Sequence, residues 1–179
     1  MAAPRFSLLL TSLLPLAATA QDGWRSMDGT PIPESESRKS RNGFSATLIV
    51  TPDQDWQEKW NTPPETIPHF SEADEVHAGE ELFILTFLSN PGMDGSRSTD
   101  VTCDFAVTRP DGSRSIAETD LPCFRTTLQG DPHNVYLSGA ALTYIAEPDD
   151  PRGTWTVDVV IKDHHRAVDL PLRTSFVVK

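Results

Sequence analysis

Three groups of side chains in this sequence have the types and spacing that chemistry requires. Asp163, His164 and His165 are consecutive, and adjacent imidazoles ligate zinc or copper when a turn brings both to one ion. His69, His77 and His133 would complete such a site only if folding gathers them. The competing reading of His164 and His165 is a pair of exposed loop histidines. Asp94, Ser96, Ser98 and Asp100 place oxygens at every second position, the spacing with which a turn wraps calcium. Thr99 stands where such a loop carries glycine, and Phe105 where it carries a bidentate acid, so a solvated strand connection competes here. Glu147, Asp149 and Asp150 make a second acidic corner.

The third group is aromatic. Trp56 and Trp60 are four residues apart, so on a helix they share a face. With Pro63, Pro64, Pro68 and Phe70 they gather apolar surface on a connection longer than two neighbouring strands need. Long ordered connections carry function more often than short ones, and aromatic anchors dominate protein interfaces. Trp56, Trp60 and Phe70 are therefore the candidate partner-binding residues. The alternative is that both tryptophans plug the open end of the fold.

Catalytic motifs are missing. No Gly-x-Ser-x-Gly elbow, His-Glu-x-x-His pair or glycine-rich phosphate loop occurs, so no catalytic residue is assigned and no cofactor is expected. An enzyme would have to build a hydrolytic or metal-assisted site around His69, His133, His164 or His165. Cys103 and Cys123 are the two cysteines, without the CxxC spacing of redox or metal pairs. In an oxidising compartment they are expected to form a disulfide, contributing about 3 kcal/mol by loop-closure entropy.

The compartment follows from the N-terminus. Residues 1 to 20 carry Arg5, then an apolar run from Leu8 to Leu16 interrupted by little, then Ala18, Thr19 and Ala20. That order is the one a signal peptidase reads, and the run is too short for a membrane anchor of about 20 residues. Cleavage near Gln21 removes one base and no acid from a chain of net charge −11. Nucleic acid and anionic lipid are accordingly poor partners. No integral membrane segment is expected after signal removal, and the product is placed in a periplasm or outside the cell.

Residues 21 to 42 mix Gly, Pro, Ser and charges and read as a flexible leader. Trp24 is its one large aromatic, a docking residue, a strap across the domain or a loosely packed ring. From residue 43 to 179 the period is two, as half-buried strands require. Phe44, Ala46, Leu48 and Val50 face one way, and Ser45, Thr47 and Thr51 largely the other. Thr51, Pro52, Asp53 and Gln54 resemble a helix start with Thr51 as the cap. Leu82 to Leu88 is apolar on both faces and belongs at a sheet centre covered twice. Val101 to Val107 alternates and leads through the Pro110 to Ser113 turn into a hairpin. Val135 to Ile145 is a weaker strand, Trp155 to Ile161 a strong one, and Val168 to Phe176 the last. Many short strands and one short helix predict an all-β, two-sheet antiparallel sandwich.

The segments Ala78 to Phe87, Arg109 to Ser113 and Gly153 to Asp163 resemble the second, third and penultimate strands of bacterial immunoglobulin-like or fibronectin-type-III-like modules. The resemblance spans about residues 43 to 179 and implies an immunoglobulin-like sandwich and no activity. The cysteines depart from antibody domains, being too close in sequence for the usual bridge between sheets. The function expected is a non-enzymatic protein-binding or accessory module of an envelope or secreted system. The alternatives are the metal-assisted hydrolase and a carbohydrate-binding module with Trp56 or Trp60 as a flat platform.

Overall fold

The computed structural model describes residues 23–26, 28–63 and 68–179, so the proposed signal lies outside the described residues. The strands are β1 (Arg38–Arg41), β2 (Phe44–Thr51), β3 (Glu75–Val76), β4 (Glu81–Ser89), β5 (Val101–Thr108), β6 (Arg114–Phe124), β7 (Val135–Leu137), β8 (Leu142–Ile145), β9 (Gly153–Asp163) and β10 (Val168–Val178). One helix, α1 (Trp56–Trp60), interrupts them. The first sheet runs β1-β2-β4-β7 with β8 also on β4; the second runs β3-β10-β9-β5-β6. All pairings are antiparallel except β3 with β10. The all-β, two-sheet expectation is met.

Alternation decides which side chains meet between the sheets. Phe44, Leu48, Leu82, Ile84 and Leu88 from the first sheet pack against Phe105, Trp155, Val157, Ile161, Leu170 and Phe176 from the second, all buried. Tyr144 closes one end, its ring 4.8 Å from Phe176 and 5.1 Å from Trp155. Aromatic pairs at such distances add about 1 kcal/mol each beyond the area they bury. The disulfide joins Cys103 on β5 to Cys123 on β6, with Cα atoms 5.8 Å apart. It therefore staples neighbouring strands of one sheet.

The outer faces of the two sheets differ in chemistry. On the second sheet, Asp104, Asp158, Lys162 and Arg173 point outward and pair: Lys162 with Asp104 at 2.8 Å and Arg173 with Asp158 at 2.7 Å. On the first, Ile49, Phe83, Leu85 and Phe87 occupy the outward positions of β2 and β4, which water would not tolerate bare. A cover is required. Residues 52 to 63 and 68 to 74, between β2 and β3, and the N-terminal stretch around Trp24 provide it. The doubly apolar β4 is thus covered twice, as its sequence demanded.

Three expectations are corrected in detail. Arg38–Arg41 lies in the stretch read as leader, yet it pairs with β2 through the Asn42–Gly43 turn, whose residues both have positive φ (52° and 82°). Asn-Gly between paired strands is the strongest short hairpin signal. Thr51 does not cap the helix: it ends β2, its hydroxyl accepts from the Asp53 amide at 3.2 Å, and Asp55 holds the N-cap position without a side-chain bond. The apolar register of β2 runs one residue further than the capping pattern allowed. Val135 to Ile145 is two strands, because Gly139 turns aside to donate to the Cys123 carbonyl.

Candidate functional site

The covered outer face holds a groove of about 280 Å³, lined by Trp24, Thr47, Ile49, Trp60, Pro68, Phe70, Glu72, Phe87 and Val135. Its floor is the sheet itself: Thr47 opposes Phe87 across β2 and β4, and Val135 opposes Ser89 on β7. The walls come from the two cover segments. Trp60 and Phe70 sit 5.3 and 5.5 Å from the Phe87 ring, while Trp24 donates its indole N–H to the Ala46 carbonyl at 3.3 Å. Trp24 is thereby a strap and not a free ring. The Thr47 hydroxyl is buried in this lining without a hydrogen-bond partner.

The wall formed by residues 52 to 74 is clamped by charge. Lys59 bonds Asp53 at 2.9 Å and Asp55 at 3.1 Å, and the Ser71 amide donates to Asp53 at 2.8 Å. Burial pushes the Asp53 carboxyl upward, but the bonds from Lys59 and Ser71 outweigh it and hold it below its ordinary range. Both ends of the connection, the helix side and the return side, are therefore tied to one carboxylate.

Trp56, Trp60 and Phe70 are brought together, on one cover over one sheet face. Trp56 stands 6.1 Å from Phe83, tilted by 49°, and Trp60 is tilted 48° to Phe87. Both are half-buried. Neither ring is thus fully exposed. Pro64 of the same group lies outside the described residues.

The histidines and acids are held separately. His164, at the exposed turn between β9 and β10, shares a hydrogen bond of 2.9 Å with the Thr102 hydroxyl. His165 is exposed beside it, and Asp163 turns inward instead. His133 meets Asp131 and His77 meets Glu80, and His69 is exposed on the cover. One oxygen of Asp94 accepts from the Ser96 amide, the Ser96 hydroxyl and the Ser98 amide, which with Ser96 foremost lowers its pKa. Asp100 is bound by Arg125 at 2.6 Å. Among the described residues no group of three or more His, Cys, Asp or Glu side chains is placed to hold a metal.

Trp24 stands in the groove as one of its sequence readings, a docking residue or strap, allowed, whereas Thr47, Ile49, Glu72, Phe87 and Val135 are not among the sequence candidates. Ile49 and Phe87 carried a usable signal, since each is apolar at a position where a one-faced strand would be polar.

No family model and no curated protein matches the sequence. Solved structures similar to it include an alkylpurine DNA glycosylase of Pseudomonas fluorescens bound to DNA containing an abasic-site analogue, with 12% identity, TM-score 0.41 and coverage of 76% of this chain and 30% of that one. A family 123 glycoside hydrolase of Clostridium perfringens shows 9% identity, TM-score 0.41 and coverage of 75% and 27%. A Niemann-Pick type C2 protein of the Japanese carpenter ant shows 11%, 0.40, and coverage of 74% and 89%. The chain thus spans under a third of the first two. The disulfide accords with an oxidising compartment, and among the described residues no helix is long and apolar enough to cross a membrane.

Proposed function

We propose that this chain is an exported, non-enzymatic binding module of the immunoglobulin-like kind, which takes an apolar side chain of a basic protein partner into the groove of its first sheet. The fold reading is supported by strand order. A short β3 parallel to the last strand, and β10-β9-β5-β6 beside it, follow the pattern of sandwiches whose first strand crosses between sheets. Residues 52 to 74 are then an insertion at that crossing.

One observation carries the functional reading: the groove is apolar and open, and Glu72 is the single charged residue among those that line it. The chain's charge of −11 favours a partner with basic residues around its anchor. The larger trough on the second sheet, about 450 Å³, is mixed in character, with Asp104, Arg114, Glu118, Asp158 and Arg173 among its lining, and its Asp158–Arg173 pair is already made. Localisation in a periplasm or outside the cell is part of the same proposal.

The groove is tested with a neutral solvatochromic dye. Wild-type protein should bind it with increased emission, and Ile49→Trp, which fills the floor from an outward position, should abolish the increase while leaving the circular dichroism unchanged. Equal binding by both proteins, or none by wild type, would remove the reading.

A further inference from the structure

The sheet edges of this molecule are not protected alike. β1 carries Arg38, Lys39 and Arg41, β3 carries Glu75, and β6 carries Arg114, Glu118, Asp120 and Pro122. Charges and proline at an edge discourage pairing with other chains. From Val135 to Ile145, by contrast, the sequence VYLSGAALTYI holds neither. This edge also bears Val135 and Ile145, exposed by 45% and 58% and the large exposed apolar residues among those described.

Hydrogen-bond parity shows what that edge offers. The Ser138 amide donates to the Thr86 carbonyl at 2.9 Å and the Ala146 amide to Glu80 at 3.0 Å, in line with the pairings Leu137 to Phe87 and Ile145 to Glu81. Bonded and non-bonded pairs alternate in an antiparallel ladder. Tyr136, Leu142 and Tyr144 therefore turn their main-chain groups to β4, and Val135, Leu137, Thr143 and Ile145 turn theirs away. The same four residues set their side chains on the outer face, and Val135 is itself part of the groove lining. Among the described residues Val135 thus belongs both to this edge and to the groove.

We infer that the partner contributes an extended segment, which adds to the β7–β8 edge as a strand, inserts an apolar side chain between Trp60, Phe70 and Val135, and carries flanking lysines or arginines. This rests on the groove reading above. Strand addition supplies main-chain bonds for affinity and a side-chain pocket for selectivity. A second copy fits less well, since two chains of charge −11 repel each other and residues 135 to 145 bring no base.

The probe is a short fluorescent peptide alternating lysine with valine around a central phenylalanine, titrated by anisotropy. Two analogues are compared, one N-methylated at the lysines and one at the valines. A strand bonds the edge with alternate residues only, so one analogue should lose affinity about tenfold and the other should keep it. Ile145→Lys should weaken the parent peptide by a similar factor, with circular dichroism unchanged and the protein sedimenting as a monomer. Loss in neither analogue, with Ile145→Lys neutral, would overturn strand addition while leaving a dye-binding groove intact. A dimer broken by Ile145→Lys would overturn the partner in favour of a second copy. Failure of both dye and peptide would overturn the groove reading as well.

Discussion

Asp163 is the one charged side chain fully buried among the described residues, and it turns a simple β-turn into a joint between three loops. Its carboxylate accepts from the Gly92 amide at 2.6 Å and the Arg166 amide at 3.0 Å. Arg166 in turn donates to the Asn90 carbonyl, the Asn90 side chain and the Asn42 carbonyl. Both oxygens of this buried group are satisfied by backbone donors. Gly92 is required there by space: a Cβ would stand 2.7 Å from the Asp163 carboxylate and 2.8 Å from atoms of His165 and Arg166. Gly92→Ala should therefore cost about 2 kcal/mol through overpacking, and Asp163→Ala about 3 kcal/mol by orphaning buried donors. Urea unfolding measures both, and values near zero would mean that this joint does not hold the loops. Sequence adjacency had suggested Asp163 as a helper of His164 and His165. Asp163 ends β9 with its side chain buried, and the chain then enters the exposed turn that carries His164 and His165.

At the scale of elements, the cover of residues 52 to 74 is the part whose attachment depends on pH. Asp53 has a folded-state pKa below its ordinary value of 3.8. Its clamp is thus fully present above that value and is lost as pH falls through the lower, folded one. Trp60, packed on Phe87, reports the release. Its emission should shift to the red only as pH falls below 3.8, before the far-ultraviolet dichroism changes. Asp53→Asn should show the red-shifted emission already at neutral pH. An emission that moves only with global unfolding would show that the clamp does not hold the cover. Much of the element pattern was legible beforehand: inward rows such as Trp155, Val157, Val159 and Ile161 follow from alternation alone. The break within residues 135 to 145 was not, because it depends on Cys123 of the opposite sheet accepting from Gly139. The strap is one of three readings of Trp24, and its bond to Ala46 across 22 positions leaves no periodic trace that would choose among them. The Asn42–Gly43 turn carries a legible hairpin signal, but its first strand, Arg38–Arg41, lies in a segment of Gly, Pro, Ser and charges without apolar periodicity.

The whole molecule is asymmetric in a way that assigns roles to its faces. One sheet shows water a lattice of paired charges, and the other hides apolar side chains beneath a cover that leaves a groove and an unprotected edge. Under the proposed function a net charge of −11 would favour basic partners, acting on encounter rate as much as on affinity. Binding of a basic peptide should weaken as salt rises, since the Debye length shortens from about 10 Å at 0.1 M to about 3 Å at 1 M. The most direct test of the groove as the binding surface is chemical-shift mapping of the labelled protein with the lysine and valine peptide. Shifts concentrated at the Trp24 and Trp60 indoles and at the amides of Thr47, Ile49, Phe87 and Val135 are the expected result. Shifts concentrated on Asp104, Asp158 and Arg173, or at the His164 turn, would contradict it.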